Sequence, residues 1–310
     1  MFDVVVPTYN SNPHYLRLAV DSVLNQSYSD FKIYICDGTP DNLPHKAEES
    51  LKDYTDSRIT IIRQTGIGPS NARNEALSKG NNPYVALLDG DDLWHERKLE
   101  YLVGFIEKNK PKMIWSAVKM GEDENSNNLF RTGVFEDLKT TAFEHRWFRV
   151  FWCPLATSSI VFERNGLLSI GAWDEKKFMG EDTDLNVRML KKFSLDSYQV
   201  NAYMGLYRTH PSQTTQNEDH YHENVNAGLK WADRTKLFDE TLEDLKNNSN
   251  GNYTQDYWDK LYEVVQSHRI ASHNPAETDF VNYIMMRVDN IPNGTKFSEK
   301  TYELNELMEG

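Results

Sequence analysis

Tyr84-Val85-Ala86-Leu87-Leu88-Asp89-Gly90-Asp91-Asp92-Leu93-Trp94 is the stretch whose reading decides the fold. Its first five residues are uninterrupted apolar or aromatic, the pattern of a strand covered on both faces within a parallel sheet. The run then stops at three carboxylates, Asp89, Asp91 and Asp92, within four residues. At one strand end such charges repel unless a cation, water or partner group compensates them. Oxygen ligands of this kind suit Mg²⁺ or Mn²⁺, which take one or two carboxylates and keep positions open for phosphate oxygens. Gly90 removes the side chain between the acids and lets a ligand approach the backbone closely. The competing reading is a solvated acidic turn capping a helix that begins near Trp94, because Asp-Gly and Asp-Asp are ordinary loop pairs.

Composition narrows the classes around this stretch. A chain of 310 residues, 39% hydrophobic and 12% aromatic, can bury one large domain with an extension. A net charge of −13 and a pI near 5.2 argue against a nucleic-acid partner, and no Lys/Arg cluster offsets them locally. Cys36 and Cys153 are the only cysteines, too few for a disulfide framework or a thiolate zinc site, and both read as buried thiols. The opening Phe2-Asp3-Val4 lacks a leader's basic and apolar regions, and no apolar run approaches the ~18 residues of a membrane span. A soluble cytoplasmic protein is the expectation.

Outward from the central strand, the pattern alternates. Phe2–Val6 reads as a strand ended by Pro7-Thr8-Tyr9-Asn10, and His14–Asn25 has helical spacing. Phe31–Cys36 is a second strand ending at Asp37-Gly38, followed by a helix over about Pro44–Tyr54. A third strand, Arg58–Arg63, leads to Gly66-Ile67-Gly68 and a helix opened by Pro69 or Ser70 and running to Lys79. Short apolar strands joined by helices predict a mostly parallel, Rossmann-like α/β sheet flanked by helices.

In such a sheet, ligands bind outside the carboxyl ends of the strands. Thr8 and Tyr9, Asp37, and Asp89-Gly90-Asp91 stand at three of those ends. Tyr9 suits stacking on a base or contact with ribose, and Asp37 suits a hydrogen bond to either. Arg73, on the helix after the glycine-containing turn, suits clamping a diphosphate. Each residue also has an ordinary reading as a turn or surface residue, and convergence at one sheet edge is what favours a nucleotide site. No P-loop and no dinucleotide fingerprint competes.

The motifs Val4-Val5-Val6-Pro7-Thr8-Tyr9-Asn10, Ile35-Cys36-Asp37-Gly38, Gly68-x-x-x-Ala72-Arg73-Asn74 and Leu87-Leu88-Asp89-Gly90-Asp91-Asp92 resemble the nucleotide-binding half of inverting family 2 glycosyltransferases with the GT-A fold. Ser158–Phe162, Ile170–Glu175 and Gly180-Glu181-Asp182-Thr183-Asp184-Leu185-Asn186-Val187-Arg188 resemble that family's acceptor half. The similarity runs to about Ser212, and it departs at Asp37, where many members carry two acids. It implies that Pro7, Tyr9 and Asp37 hold the nucleoside of a nucleotide-sugar, with a UDP-sugar favoured. It further implies that Arg73 holds donor phosphate, Asp89 ribose or sugar, and Asp91 a Mn²⁺ or Mg²⁺ ion with Asp92 in support. Asp182 would be the general base, Glu181 would orient the acceptor, and Asp184 would be structural. His210, in Tyr207-Arg208-Thr209-His210, matches a segment that completes the metal shell or touches diphosphate; a surface turn histidine is the other reading.

The acceptor implied is a glycan or glycolipid hydroxyl, and Trp173 or Trp152 is an aromatic candidate to line its site, with core packing as the alternative. The expected organisation is a catalytic domain over 1–215, divided near 110 into nucleotide and acceptor halves, and a helical extension over 216–310. The extension reads as a layer covering the catalytic domain, with a homodimer contact, an acceptor lid or a peripheral membrane platform also open. Two rivals from other classes are a sugar nucleotidyltransferase, which would carry a Gly-rich basic loop after the first strand, and a non-catalytic glycan- or nucleotide-binding relative.

Overall fold

The fold is built outward from β1, Phe2–Thr8, in which every residue but Pro7 is buried. In this computed structural model, residues 1–121, 129–130, 155–177, 181–193, 196–211 and 213 are described. The expected aromatic segment 146–152, the helices of the last third and most of the polar loops 121–128 and 213–222 lie outside them. Strand and helix alternate as β1, α1 (Pro13–Leu24), β2 (Phe31–Asp37), α2 (Ala47–Ser50), β3 (Ile59–Arg63), α3 (Gly68–Lys79) and β4 (Tyr84–Leu87). There follow β5 (Leu93–Trp94), α4 (Lys98–Asn109), β6 (Met113–Gly121) and β7 (Leu129–Phe130). A 3₁₀ turn at Thr157–Ser159 then leads to β8 (Val161–Glu163), α5 (Arg164–Ser169), α6 (Glu181–Phe193) and β9 (Ser197–Arg208).

Among the described residues, nine strands share one sheet, in the order β3-β2-β1-β4-β8-β6-β9-β5, with β7 paired to β6. The first four in that order are mutually parallel, as are β6 and β9, whereas β8 and β5 run antiparallel to their neighbours. The sheet therefore continues across the expected division near residue 110, where β4 pairs with β8. All of β4 is buried, as its unbroken apolar run requires. Period-two alternation along β1 sorts the two cores. Val4 and Val6 meet Leu16, Ala19 and Val20 of α1 and Leu102 of α4 on one face. Val5 meets Ala72 and Ala76 of α3 and Leu185 and Met189 of α6 on the other.

Three local expectations change. β1 continues through Pro7 to Thr8, pairing Pro7 with Cys36 and Thr8 with Asp37. Leu88 N donates to Val5 O and Gly38 N to Thr8 O, so alternate residues of β1 face β4 and β2. Pro7 faces the β4 side, where that strand has already ended at Leu87, and its missing N–H removes no ladder bond. The helix expected over Pro44–Tyr54 shrinks to Ala47–Ser50. Ala47 N is capped by Asp37 Oδ2 at 2.8 Å, and the Ser50 carbonyl is taken by Arg17 at 2.9 Å instead of by another helical turn. Trp94 starts no helix. Leu93 and Trp94 pair with Leu206 and Gly205, and a Cβ at Gly205 would come within 2.7 Å of Leu93 O, so glycine permits this approach.

Beneath the sheet, at the end away from the acids, Asp3 is fully buried. Its carboxylate accepts from Arg164 NH2 at 2.5 Å, Asn82 N at 2.9 Å and Asn82 Nδ2 at 2.7 Å. Arg164 also donates to Asn82 O at 2.6 Å and Leu77 O at 2.9 Å, tying the head of α5 to β1 and α3. Breaking a buried pair strands a charge and costs about 3–5 kcal/mol. Arg164→Leu is accordingly expected to lower stability by about that amount in chemical denaturation, with partial recovery in Asp3→Asn/Arg164→Leu; a loss below about 1 kcal/mol would show that this pair does not hold the halves together.

Candidate active site

The carboxyl ends of β1 and β4 and the N-terminus of α6 meet at one edge of the sheet. Arg73, one helical turn into α3, is only 5% exposed. Its NH1 donates to Glu181 Oε1 at 2.7 Å, and its NH2 to Asp89 Oδ1 at 3.2 Å. Burial works against the guanidinium charge, but Asp89 and Glu181 outweigh it and hold its pKa above the usual arginine value. Burial raises Asp89 above the ordinary carboxylate range despite Arg73, and the charges of Asp91 and Asp182 add to that rise. Glu181 is likewise raised, by burial first and by Asp182, against the pull of Arg73.

The other acids divide between exposure and support. Asp91 is part-exposed, and its Oδ2 lies 3.0 Å from His210 Nε2. The His210 ring lies 4.9 Å from that of Tyr15 at a 43° tilt, and Arg208, whose Nε donates to Asp91 O at 2.9 Å, lies 4.8 Å from the same ring. Asp92, 1% exposed, points inward, accepting from Ser158 Oγ at 2.5 Å and Arg208 N at 2.9 Å. Burial, then the charges of Asp91 and Asp89, push its pKa far above the carboxylate range. Asp182 sits in the first turn of α6 beside Glu181, with Oδ2 3.5 Å from Thr157 Oγ1. The helix dipole favours negative charge there.

Among the described residues, no three His, Cys, Asp or Glu groups form a metal cage. Asp91 with His210 offers one carboxylate and one imidazole side by side. The carboxylate suits Mn²⁺ or Mg²⁺ completed by phosphate oxygens, and the imidazole beside it is a softer donor that suits Mg²⁺ less well.

Facing these groups, Thr8 is buried and donates to Ser11 Oγ at 2.8 Å, and Pro7 is half-buried. Tyr9 is 65% exposed, an open aromatic face beside Gly38. Asp37 is 3% exposed and already engaged: Oδ1 accepts from Thr39 N at 2.9 Å and Thr39 Oγ1 at 2.5 Å, and Oδ2 caps α2. Gly90 lies against Pro7 O and Ser11, where an added Cβ would make contacts of 3.6 Å. Trp173 departs from the acceptor-lining expectation. It is 2% exposed, edge-on to Phe162 at 6.3 Å in the core, with its backbone clamped by Asn74, so it offers no open face to a sugar. Asp184 bonds Lys177 and Arg188, a structural arrangement in keeping with its expected role.

Two contacts of the site were not read from the sequence, although Ser158 lies in a motif of the family resemblance. Ser158 donates to Asp92, accepts from Asp89 N at 3.0 Å, and presents its carbonyl to Trp94 Nε1 at 2.8 Å and Lys98 Nζ at 2.7 Å. Lys98 is fully buried, and burial drives its pKa well below the usual lysine value, against the pull of Asp92. In the sequence it is one lysine at the head of an amphipathic helix, indistinguishable from a surface residue.

Comparison with known proteins bears on the family and the fold. The family model for glycosyl transferase family 2 matches residues 3–162. The UDP-Glc:alpha-D-GlcNAc-diphosphoundecaprenol beta-1,3-glucosyltransferase WfgD of Escherichia coli is 31% identical over 136 residues, 44% of this chain and 50% of that protein. The matches span 64%, 63% and 50% of the length of three curated relatives. Among solved structures, S. aureus TarS 1-349 in complex with UDP-GlcNAc superposes with a TM-score of 0.59 at 18% identity, covering 94% of this chain and 83% of that one. The mannosyltransferase PcManGT from Pyrobaculum calidifontis, in complex with GDP-Man and Mn2+, gives 0.51 at 15% identity, covering 93% and 81%. These structures share the mixed, mostly parallel α/β architecture, and with the family match over half the chain they lead to one conclusion: the chain belongs to glycosyl transferase family 2.

Proposed function

We propose that the protein is a metal-dependent, inverting glycosyltransferase that moves one sugar from a nucleotide-diphosphate-sugar, a UDP-sugar by preference, to a hydroxyl of a glycan or glycolipid. One observation carries this reading: Arg73 joins Asp89, at the end of the nucleotide-side strand, to Glu181, the neighbour of Asp182. A divalent-ion pair of groups, Asp91 and His210, and a part-exposed carboxylate, Asp182, thereby share one cleft edge. Support from outside the chain comes from TarS, crystallised with UDP-GlcNAc, and from PcManGT, with GDP-Man and Mn2+. WfgD, named for transfer from UDP-Glc to a diphosphoundecaprenol-linked sugar, supports a glycolipid acceptor.

In this mechanism the exposed Tyr9 ring covers the base, and the backbone around Pro7 and Gly90 forms the floor beneath the nucleotide. Asp91 and His210 would hold Mn²⁺ or Mg²⁺, which when bound neutralises the charge of the departing diphosphate. Asp182 accepts the proton of the acceptor hydroxyl. The acceptor oxygen forms its bond to the anomeric carbon as the bond from that carbon to the phosphate oxygen breaks, and the nucleoside diphosphate leaves with the electron pair. A single displacement inverts the anomeric centre and needs no enzyme nucleophile. Arg73 is committed to two carboxylates, so its first service is to hold Asp89 and Glu181 in place.

Asp91→Asn should abolish transfer and weaken UDP binding in the presence of Mn²⁺, while wild type and variant bind UDP alike without metal; titration calorimetry reads both arms, and full metal-dependent activity in the variant would contradict the ligand role. Asp182→Asn keeps shape and hydrogen-bonding size, so donor affinity should stay near wild type while kcat falls about 10²–10⁴-fold. Near-normal turnover in Asp182→Asn with a collapse in Glu181→Gln would transfer the base role to Glu181.

A further inference from the structure

We propose that Lys98 is a positioning residue for this site: its buried amino group fixes the Thr157–Ser159 turn, and through Ser158 that turn sets Asp89 and Asp92 against Asp182. The catalytic part of the proposal rests on the function proposed above; the structural part does not. Lys98 lies at the head of α4 with no exposed surface. A methionine or leucine would fill such a position without the cost of burying an ammonium, so a lysine here calls for a specific partner. That partner is the Ser158 carbonyl, 2.7 Å from Nζ, which also accepts Trp94 Nε1 at 2.8 Å. Nζ lies 4.3 Å from the centre of the Trp94 ring, a contact that further restricts it.

With its carbonyl held by two donors, Ser158 has its hydroxyl directed at the acids. Oγ donates to Asp92 Oδ2 at 2.5 Å and accepts Asp89 N at 3.0 Å. Asp92 in turn receives Arg208 N at 2.9 Å, and Arg208 Nε donates to Asp91 O at 2.9 Å. The preceding residue, Thr157, places Oγ1 3.5 Å from Asp182 Oδ2. One three-residue turn thus touches both the strand-end acids and the α6 acid, and Lys98 anchors it together with Trp94. A shift near 1 Å at reacting groups can cost about 10²-fold in rate.

Lys98→Met keeps length and apolar volume and removes the donor. Amide hydrogen exchange should rise about tenfold or more at Asp89 and Arg208, while Leu88 and Gly38, held by β1, keep wild-type protection. In Mn²⁺-dependent hydrolysis of UDP-glucose or UDP-N-acetylglucosamine, kcat should fall about 10–100-fold with little change in KM. Lys98→Gln provides the same test if Lys98→Met does not fold, and Ser158→Ala removes the hydroxyl that the turn presents to the acids and so reads the next link. The double variant should lose no more than the worse single, because both act along one route. Unchanged exchange at Asp89 and Arg208 in a folded variant overturns the proposal. So does raised exchange with unchanged kcat, or additive losses in the double variant. A wild-type protein that bound no UDP would count against the proposed function and leave the exchange result standing.

Discussion

The Arg73 guanidinium, buried between Asp89 and Glu181, is the interaction on which the site depends. It joins the end of the nucleotide-side strand to the start of α6 at a point where both carboxylates are raised in pKa by burial. Removing the cation would leave two desolvated acids facing each other with Asp91 and Asp182 close by, and such a cluster relaxes by protonating or by moving apart. In the proposed reaction, holding the acids in place electrostatically presents a fixed set of charges to the diphosphate and the acceptor hydroxyl. Preorganisation of that kind is usually the largest single contribution to catalysis of group transfer.

The arrangement explains why one continuous sheet matters. Antiparallel pairing of β4 with β8 brings the Thr157–Ser159 turn directly beside the acids. The parallel pairing of β6 with β9 then delivers Arg208 and His210 to the same edge from far along the chain. At the opposite end, Asp3, Asn82 and Arg164 lock the strands together. Fold rigidity at one end and charge placement at the other arise from the same pairing.

Much of this was legible in the sequence, for definable reasons. The unbroken run Tyr84–Leu88 marked a doubly covered strand because only a central position tolerates so many consecutive apolar residues, and the acids after it marked the ligand edge. The motifs carrying the family resemblance lie in strand ends and helix starts, where backbone position dictates residue type. Local chemistry hid the rest. Pro7 stayed in β1 because its nitrogen faces an empty side of the ladder, which no local rule reveals. Asp37 proved to be a helix cap as well as a strand-end acid, and Trp173 a core residue, since an aromatic side chain looks alike in a core and a binding wall. Lys98 and Ser158 were invisible as a pair because they lie 60 residues apart in sequence.

In the proposed reaction this edge performs one displacement at an anomeric carbon. Proton NMR during slow hydrolysis of an α-linked UDP-sugar by the protein with Mn²⁺ tests it most directly. The first free sugar to appear should be the β-anomer, released together with UDP and mutarotating only afterwards. Initial release of the α-anomer would contradict single-displacement chemistry and the assignment of Asp182 as its base.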